Sequence, residues 1–150
     1  MSIWVTPRTL DELNAFEQHT AAGGCGIRFS ALGEDWLEAT VPLDGRTAAA
    51  DGSLHAGSLA IIAETVGSIA ANLCIDAATH ACLGQALDVN HPEPISAGPV
   101  RARATPLALG EHTHVWNIEM WDATQTRMAV ARLTLAIVRA RPRFKVDAGA

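Results

Sequence analysis

A chain of 150 residues with 49% hydrophobic and 18% charged side chains has the length of one domain and enough apolar material for a packed core, which excludes a disordered polyelectrolyte. A net charge of −5 with a pI near 5.6 argues against a nucleic-acid binder, which would want a basic face. Cys25, Cys74 and Cys82 are odd in number and lack metal-ligand spacing, so they read as reduced packing residues of a cytoplasmic protein.

The N-terminus "MSIWVTPRTLDELNAF" has no basic start followed by an apolar run, and no signal peptide is expected. Thr9 predicts the start of a short helix, "TLDELNAFEQH", with acids in its first turn. "AAGGCG" is expected to break it. "IRFSALGEDWLEATVPL" reads as two alternating strands around Gly33-Glu34-Asp35, with Ile27, Phe29 and Ala31 sharing one face. "DGRTAAADGS" is a loop of small residues. A long apolar helix, "LHAGSLAIIAETVGSIAANL", follows from Leu54 to Leu73. Its length invites a membrane reading, but His55, Glu64, Thr65, Ser68, Asn72 and many alanines make it a core helix.

Past "DAATHA" come four β-like runs: "CLGQALDVNH", "GPVRARATPLAL", "THVWNIEMWD" and "RMAVARLTLAIVRA". Turns at Leu109-Gly110-Glu111 and Asp122-Ala123-Thr124 separate them, which predicts an antiparallel meander. The expected class is α+β: one domain over 1–150, a central helix wrapped by an antiparallel sheet, with 139–150 as a basic tail.

Glu64 stands in the middle of that helix. A helix apolar on every side is buried, and an ionised carboxylate there is costly unless it is partnered or used. One reading makes Glu64 a dimer contact or a partner for backbone groups, with Gly57 and Gly67 only permitting close packing. The other makes it a functional acid of raised pKa beside a slot formed by Gly57, Ala60, Gly67, Ser68 and Ala71, its small neighbours one and two turns away.

His55 opens the same helix, and the N–H groups of Ala56 and Gly57 are among the unpaired donors of its first turn. Such an end, with its positive dipole, suits a carbonyl oxygen that becomes an oxyanion. Nine residues separate His55 from Glu64, which is half a turn out of phase and about 13 Å along the axis. One chain cannot easily focus both on a single carbonyl. Two antiparallel helices from two subunits can, so the spacing points to a dimer with shared sites.

The run "DGRTAAADGSLHAGSLAIIAETVGSIAANLC" resembles the hotdog-fold thioesterases of the PaaI-like group, and within it the Arthrobacter-type 4-hydroxybenzoyl-CoA and the 1,4-dihydroxy-2-naphthoyl-CoA thioesterases. The resemblance extends over nearly the whole chain. It implies a hotdog fold, dimerised edge to edge and assembled as a tetramer, that hydrolyses an acyl-CoA, here an aromatic or bulky one, with coenzyme A entering only as part of the substrate. It matches Glu64 to the catalytic acid, Ala56 after His55 to the N–H that polarises the thioester carbonyl from the other subunit, and Ser68 to a hydroxyl one turn after the acid. In this chain Ala56 replaces the glycine that usually follows the histidine. Ala49 stands where many relatives carry a glutamine that also contacts the carbonyl, and losing one such donor typically costs two to three orders of magnitude in kcat. Weaker activity, compensation by Asp51, Ser53 or His55, or a binding protein without efficient turnover would each follow. A hotdog dehydratase ranks last, because no His–Asp or His–Glu pairing is evident.

Other residues carry lesser expectations. His112 and His114 alternate on one strand face but have no third ligand near in sequence, so no metal is expected. The resemblance brings Gly110, Glu111 and His112 to the pantetheine arm, and Asn90 and His91 to the acyl or nucleotide part, although His91 reads equally as a hydrogen-bonded loop histidine. Arg139, Arg141, Arg143 and Lys145 would share one side of an extended chain and could meet coenzyme A phosphates, or form a solvated tail. Trp36, Trp116 and Trp121 are packing residues, one of which could wall an aryl pocket.

Overall fold

The computed structural model describes residues 1–140. Thr9 caps the first helix, α1 (Leu10–Glu17), through a capping box in which its side chain accepts from the Glu12 N–H and the Glu12 side chain accepts from the Thr9 N–H. The expected break after it is a single helical turn instead, α2 (Ala21–Gly24), because two alanines follow Thr20, whose hydroxyl oxygen accepts from the Gly23 N–H. Gly26, at φ 76°, turns the chain out of α2. The two predicted strands form β1 (Arg28–Leu32) and β2 (Leu37–Val41), an antiparallel pair.

The long helix, α3, runs from Ala56 to Leu73 with His55 as its N-cap. It is long and apolar enough to cross a membrane, with a mean hydropathy of 1.3, but it packs on the sheet. Leu59, Ile62, Ala63, Val66, Ala70 and Ala71 are buried, and full burial of each larger side chain contributes about 1.5–3 kcal/mol. Gly67 lets the helix approach closely, since a Cβ there would stand 2.7 Å from Leu133 Cδ2. The helix is not buried on every side as its composition suggested. Ala60, Ile61, Glu64, Thr65, Ser68, Ile69 and Asn72 form a half-exposed flank.

Four more strands follow: β3 (His80–Asn90), β4 (Val100–Leu109), β5 (Thr113–Trp121) and β6 (Arg127–Arg139). All pairings are antiparallel, in the order β1-β2-β4-β5-β6-β3. The predicted meander therefore holds for β4, β5 and β6, whose connections are tight turns. It fails for β3, which pairs with β6 and forms an edge. The nine residues between β3 and β4 exceed a hairpin turn and carry the chain back to β2. Alternation places Val100, Ala102, Ala104, Trp116, Ile118, Met120, Ala131, Leu133 and Leu135 against α3.

The N-terminal segment is tied down as well. Trp4 Nε1 donates to the Gly33 carbonyl at 2.7 Å, its ring stacks on Trp116 at 6.5 Å, and the N–H groups of Val5 and Thr6 donate to the carbonyl of Leu73. On the outer face, Glu38 is buried beneath Arg101 and Arg103, which it binds at 2.9 and 2.8 Å. The two guanidinium groups stack on Trp121 and Trp36 respectively, so these two indoles support arginines.

Candidate active site around Glu64

Helical spacing puts Ala60, Ile61 and Ser68 beside Glu64 on the half-exposed flank of α3, which Thr65 also shares. A cleft of about 450 Å³ opens there. One wall is α3, through Ala60, Ile61, Glu64 and Thr65; the other is the α1–α2 segment, through Glu17, Thr20, Ala21 and Ala22; Leu87 of β3 completes the lining. Among the described residues nothing donates a hydrogen bond to the Glu64 carboxylate, and desolvation alone pushes its pKa above the ordinary carboxylate value. Gly84 of β3 lies against the carboxylate. A half-desolvated acid without a partner, facing a cleft, is more basic than a solvated one and is free to attack or to take a proton.

The start of α3 is built for a different task. His55 has extended backbone (φ −65°, ψ 136°), and its Nδ1 accepts from the Gly57 N–H at 2.8 Å. An accepting Nδ1 leaves the proton of the neutral ring on Nε2. The N–H of Ser58 goes to the His55 carbonyl. Of the two donors that the sequence offered, Gly57 is thus consumed by the cap, and the exposed Ala56 N–H has no partner among the described residues. Thr47 fastens the preceding loop to this end, because its carbonyl accepts from the His55 N–H at 2.9 Å and from the Ser58 hydroxyl at 3.0 Å. Ala49 sits in that loop with its N–H bonded to the Ser53 carbonyl, and Asp51 Oδ1 accepts from both the N–H and the hydroxyl of Ser53. The Asp51 and Ser53 side chains are therefore engaged with each other.

Eight residues part Ala56 from Glu64, about 12 Å along the helix axis, and the cleft lining does not include Ala56. Asn90 and His91 lie elsewhere, in a second cleft of about 480 Å³ with Pro92, Arg127 and Met128. Gly110, Glu111 and His112 occupy the exposed β4–β5 turn. Arg139 is exposed at the end of β6, and Arg141 with the rest of the basic tail lies outside the described residues. His112 and His114 do not share a strand face: β5 begins at Thr113, His112 is exposed, and His114 is buried with Nδ1 4.0 Å from Cys82 Sγ. Among the described residues no group of three or more His, Cys, Asp or Glu could hold a metal.

The cleft residues Glu17, Thr20, Ala21, Ala22 and Leu87 escaped the sequence reading, since nothing local says that α1 and α2 fold over α3. Gly84 left a signal, for a glycine inside a strand marks a close approach.

Comparison with known proteins gives a consistent picture. Residues 51–129 match the thioesterase superfamily. The 1,4-dihydroxy-2-naphthoyl-CoA hydrolase of Escherichia coli is 38% identical over 136 residues, covering 91% of this chain and 99% of that protein. The crystal structure of a thioesterase from Haemophilus influenzae superimposes with a TM-score of 0.88 at 39% identity, covering 91% of this chain and 95% of the other. That of a mutant thioesterase from Pseudomonas aeruginosa does so with a TM-score of 0.90 at 37% identity, covering 93% and 100%.

Proposed function

Because this chain belongs to the thioesterase superfamily and has its hotdog fold, we propose that it hydrolyses an aromatic or similarly bulky acyl-CoA to the free acid and coenzyme A, with Glu64 as its catalytic acid. The observation that carries this reading is the Glu64 carboxylate itself, half-buried, without a donor among the described residues, and facing a cleft of about 450 Å³. Mostly apolar walls of that size suit a bulky acyl group, and the similar Escherichia coli protein is named for such a substrate.

Glu64 acts in one of two ways. As a nucleophile it attacks the thioester carbon, the C–S bond breaks with release of the thiolate, and water then cleaves the mixed anhydride. As a general base it takes a proton from the attacking water. In either case negative charge develops on the carbonyl oxygen, and the unpaired Ala56 N–H at the dipolar start of α3 is the donor suited to hold it. Since Ala56 and Glu64 are about 12 Å apart along one helix, the donor comes from a second subunit. The exposed edge strand β3 offers a surface for that pairing, in a dimer or a dimer of dimers. Ser68, one turn beyond Glu64, supports the acid. The second cleft with Asn90 and His91, the turn at 110–112 and Arg139 are the surfaces for the coenzyme A arm.

A second reading rests on Ala49. Its side chain donates nothing, and Asp51 and Ser53 are already bonded to each other, so a protein that binds acyl thioesters of coenzyme A or a carrier protein without efficient turnover is the alternative. A thiol-release assay over benzoyl-, phenylacetyl-, naphthoyl- and fatty-acyl-CoA, run on the wild type and on Glu64→Gln, separates the two. The proposal expects turnover on the bulky aryl thioesters that falls by orders of magnitude in the variant. Tight binding without thiol release across the panel supports the alternative.

A further inference from the structure

The cleft beside Glu64 is apolar except for four side chains, and two of them, Glu17 and Thr20, come from the N-terminal segment and have no part in the chemistry above. Glu17 is the last residue of α1. An acid there faces the negative end of the helix dipole, and no cation pairs with it among the described residues. The placement is electrostatically unfavourable for the helix.

The surroundings of Glu17 are ordered. The Thr20 hydroxyl, 2.5 Å from Glu17 Oε2 and 2.8 Å from the Glu17 carbonyl oxygen, donates its single proton to the closer, charged acceptor. The other carboxylate oxygen, Oε1, accepts from nothing among the described residues. This carboxylate is thus held by one hydroxyl, with an acceptor free, in the wall that faces Glu64 across an apolar cleft.

We infer that Glu17, oriented by Thr20, is a specificity residue for the acyl end of the substrate. It accepts a hydrogen bond from a hydroxyl on the ring of an aromatic acyl group, and it repels acyl groups that carry a second carboxylate. The inference rests on the reading of this cleft as the acyl site. A thioester whose carbonyl carbon meets Glu64 on one wall extends its acyl group toward Glu17 on the other. The apolar lining of Ala21, Ala22, Ala60, Ile61 and Leu87 accepts the ring but offers its hydroxyl no other charged acceptor.

The test compares kcat/KM for benzoyl-CoA, its three ring-hydroxylated isomers and 4-carboxybenzoyl-CoA in the wild type, Glu17→Ala, Glu17→Gln and Thr20→Val, with melting temperatures as the control for folding. One hydroxyl bonded to a carboxylate is worth about 10- to 100-fold in kcat/KM. The wild type is expected to prefer at least one hydroxybenzoyl isomer by that factor and to disfavour the carboxylated substrate. Glu17→Ala should erase both differences, Thr20→Val should weaken them, and Glu17→Gln should keep part of the hydroxyl preference while admitting the carboxylate. A wild type without preference, or a preference that survives in Glu17→Ala, overturns the inference while leaving the thioesterase reading intact. If no thioester is hydrolysed at all, that reading fails separately. The same comparison is then read as Kd by calorimetry, and equal ratios in the wild type and Glu17→Ala overturn the inference on that scale.

Discussion

Gly84 of β3 lies directly against the carboxylate of Glu64: a Cβ at position 84 would stand 2.8 Å from Oε1 and 3.1 Å from Oε2. Strand and helix are thus in contact at the one place where the acid needs room. Gly84→Ala should push the carboxylate aside with little loss of stability, because the obstructed atoms are the end of a flexible side chain. A displacement near 1 Å costs about 100-fold in turnover. The expected result is a thiol-release rate reduced by that order at a nearly unchanged melting temperature; a rate equal to wild type would show that the observed carboxylate position is not the working one.

The raised pKa of Glu64 has two consequences for pH dependence. Ionised Glu64 is the reactive form, so kcat/KM should decline on the acid side through a value above the ordinary 4.5, and that limb should vanish from any residual activity of Glu64→Gln. For stability the sign is opposite to that of a salt-bridged acid. Burial favours the protonated form in the folded state, so the contribution of Glu64 is fully present below its unfolded pKa and is lost as pH rises through the folded one. Glu64→Gln should therefore melt above the wild type at neutral pH, with the two curves converging near about pH 4. Parallel curves over the whole range would count against desolvation as the cause.

Sharing of sites between subunits is testable with two inactive parents. Ala56 is the first residue of α3 and its N–H bonds to nothing among the described residues, while His55 before it has the extended backbone that a following proline requires. Ala56→Pro should fold and lose only the donor. Mixed with Glu64→Gln under verified subunit exchange, it should form hybrid dimers in which one site keeps both groups, so activity returns from two dead parents. No recovery would mean that each site is complete within one chain.

On the outer face, Glu38 is 5% exposed and answers two guanidinium groups. Glu38→Gln keeps the shape but leaves both cations without their anion. The cost should be about 2 kcal/mol, below that of a fully buried pair because the arginines reach solvent and stay stacked on Trp36 and Trp121. In a chain of this size that lowers the melting temperature by about 4–8 °C. Thermal denaturation of the variant measures it, and an unchanged melting temperature would show that the network adds nothing to stability.

Local pattern determined much of this protein. Period-two alternation in "RMAVARLTLAIVRA" and its neighbours set the strands and their inward faces, and a long, mostly apolar run set α3. His55 marked the helix start, and Glu64 stood out as the one carboxylate in that run. All of these follow from the geometry of a few consecutive residues, which the chain carries with it wherever it folds. The tertiary structure alone decided what meets Glu64. Leu87 and Gly84 reach it because β3 passes β4 and pairs with β6, and Glu17 and Thr20 reach it because α1 and α2 fold across the exposed flank of α3. The burial of Glu38, on a face that alternation marks as outward, likewise required Arg101 and Arg103 from a strand some sixty residues away, at 63 and 65 residues of separation. Contacts between distant segments depend on strand order and on the paths of long connections, and neither leaves a periodic trace in the residues that end up touching.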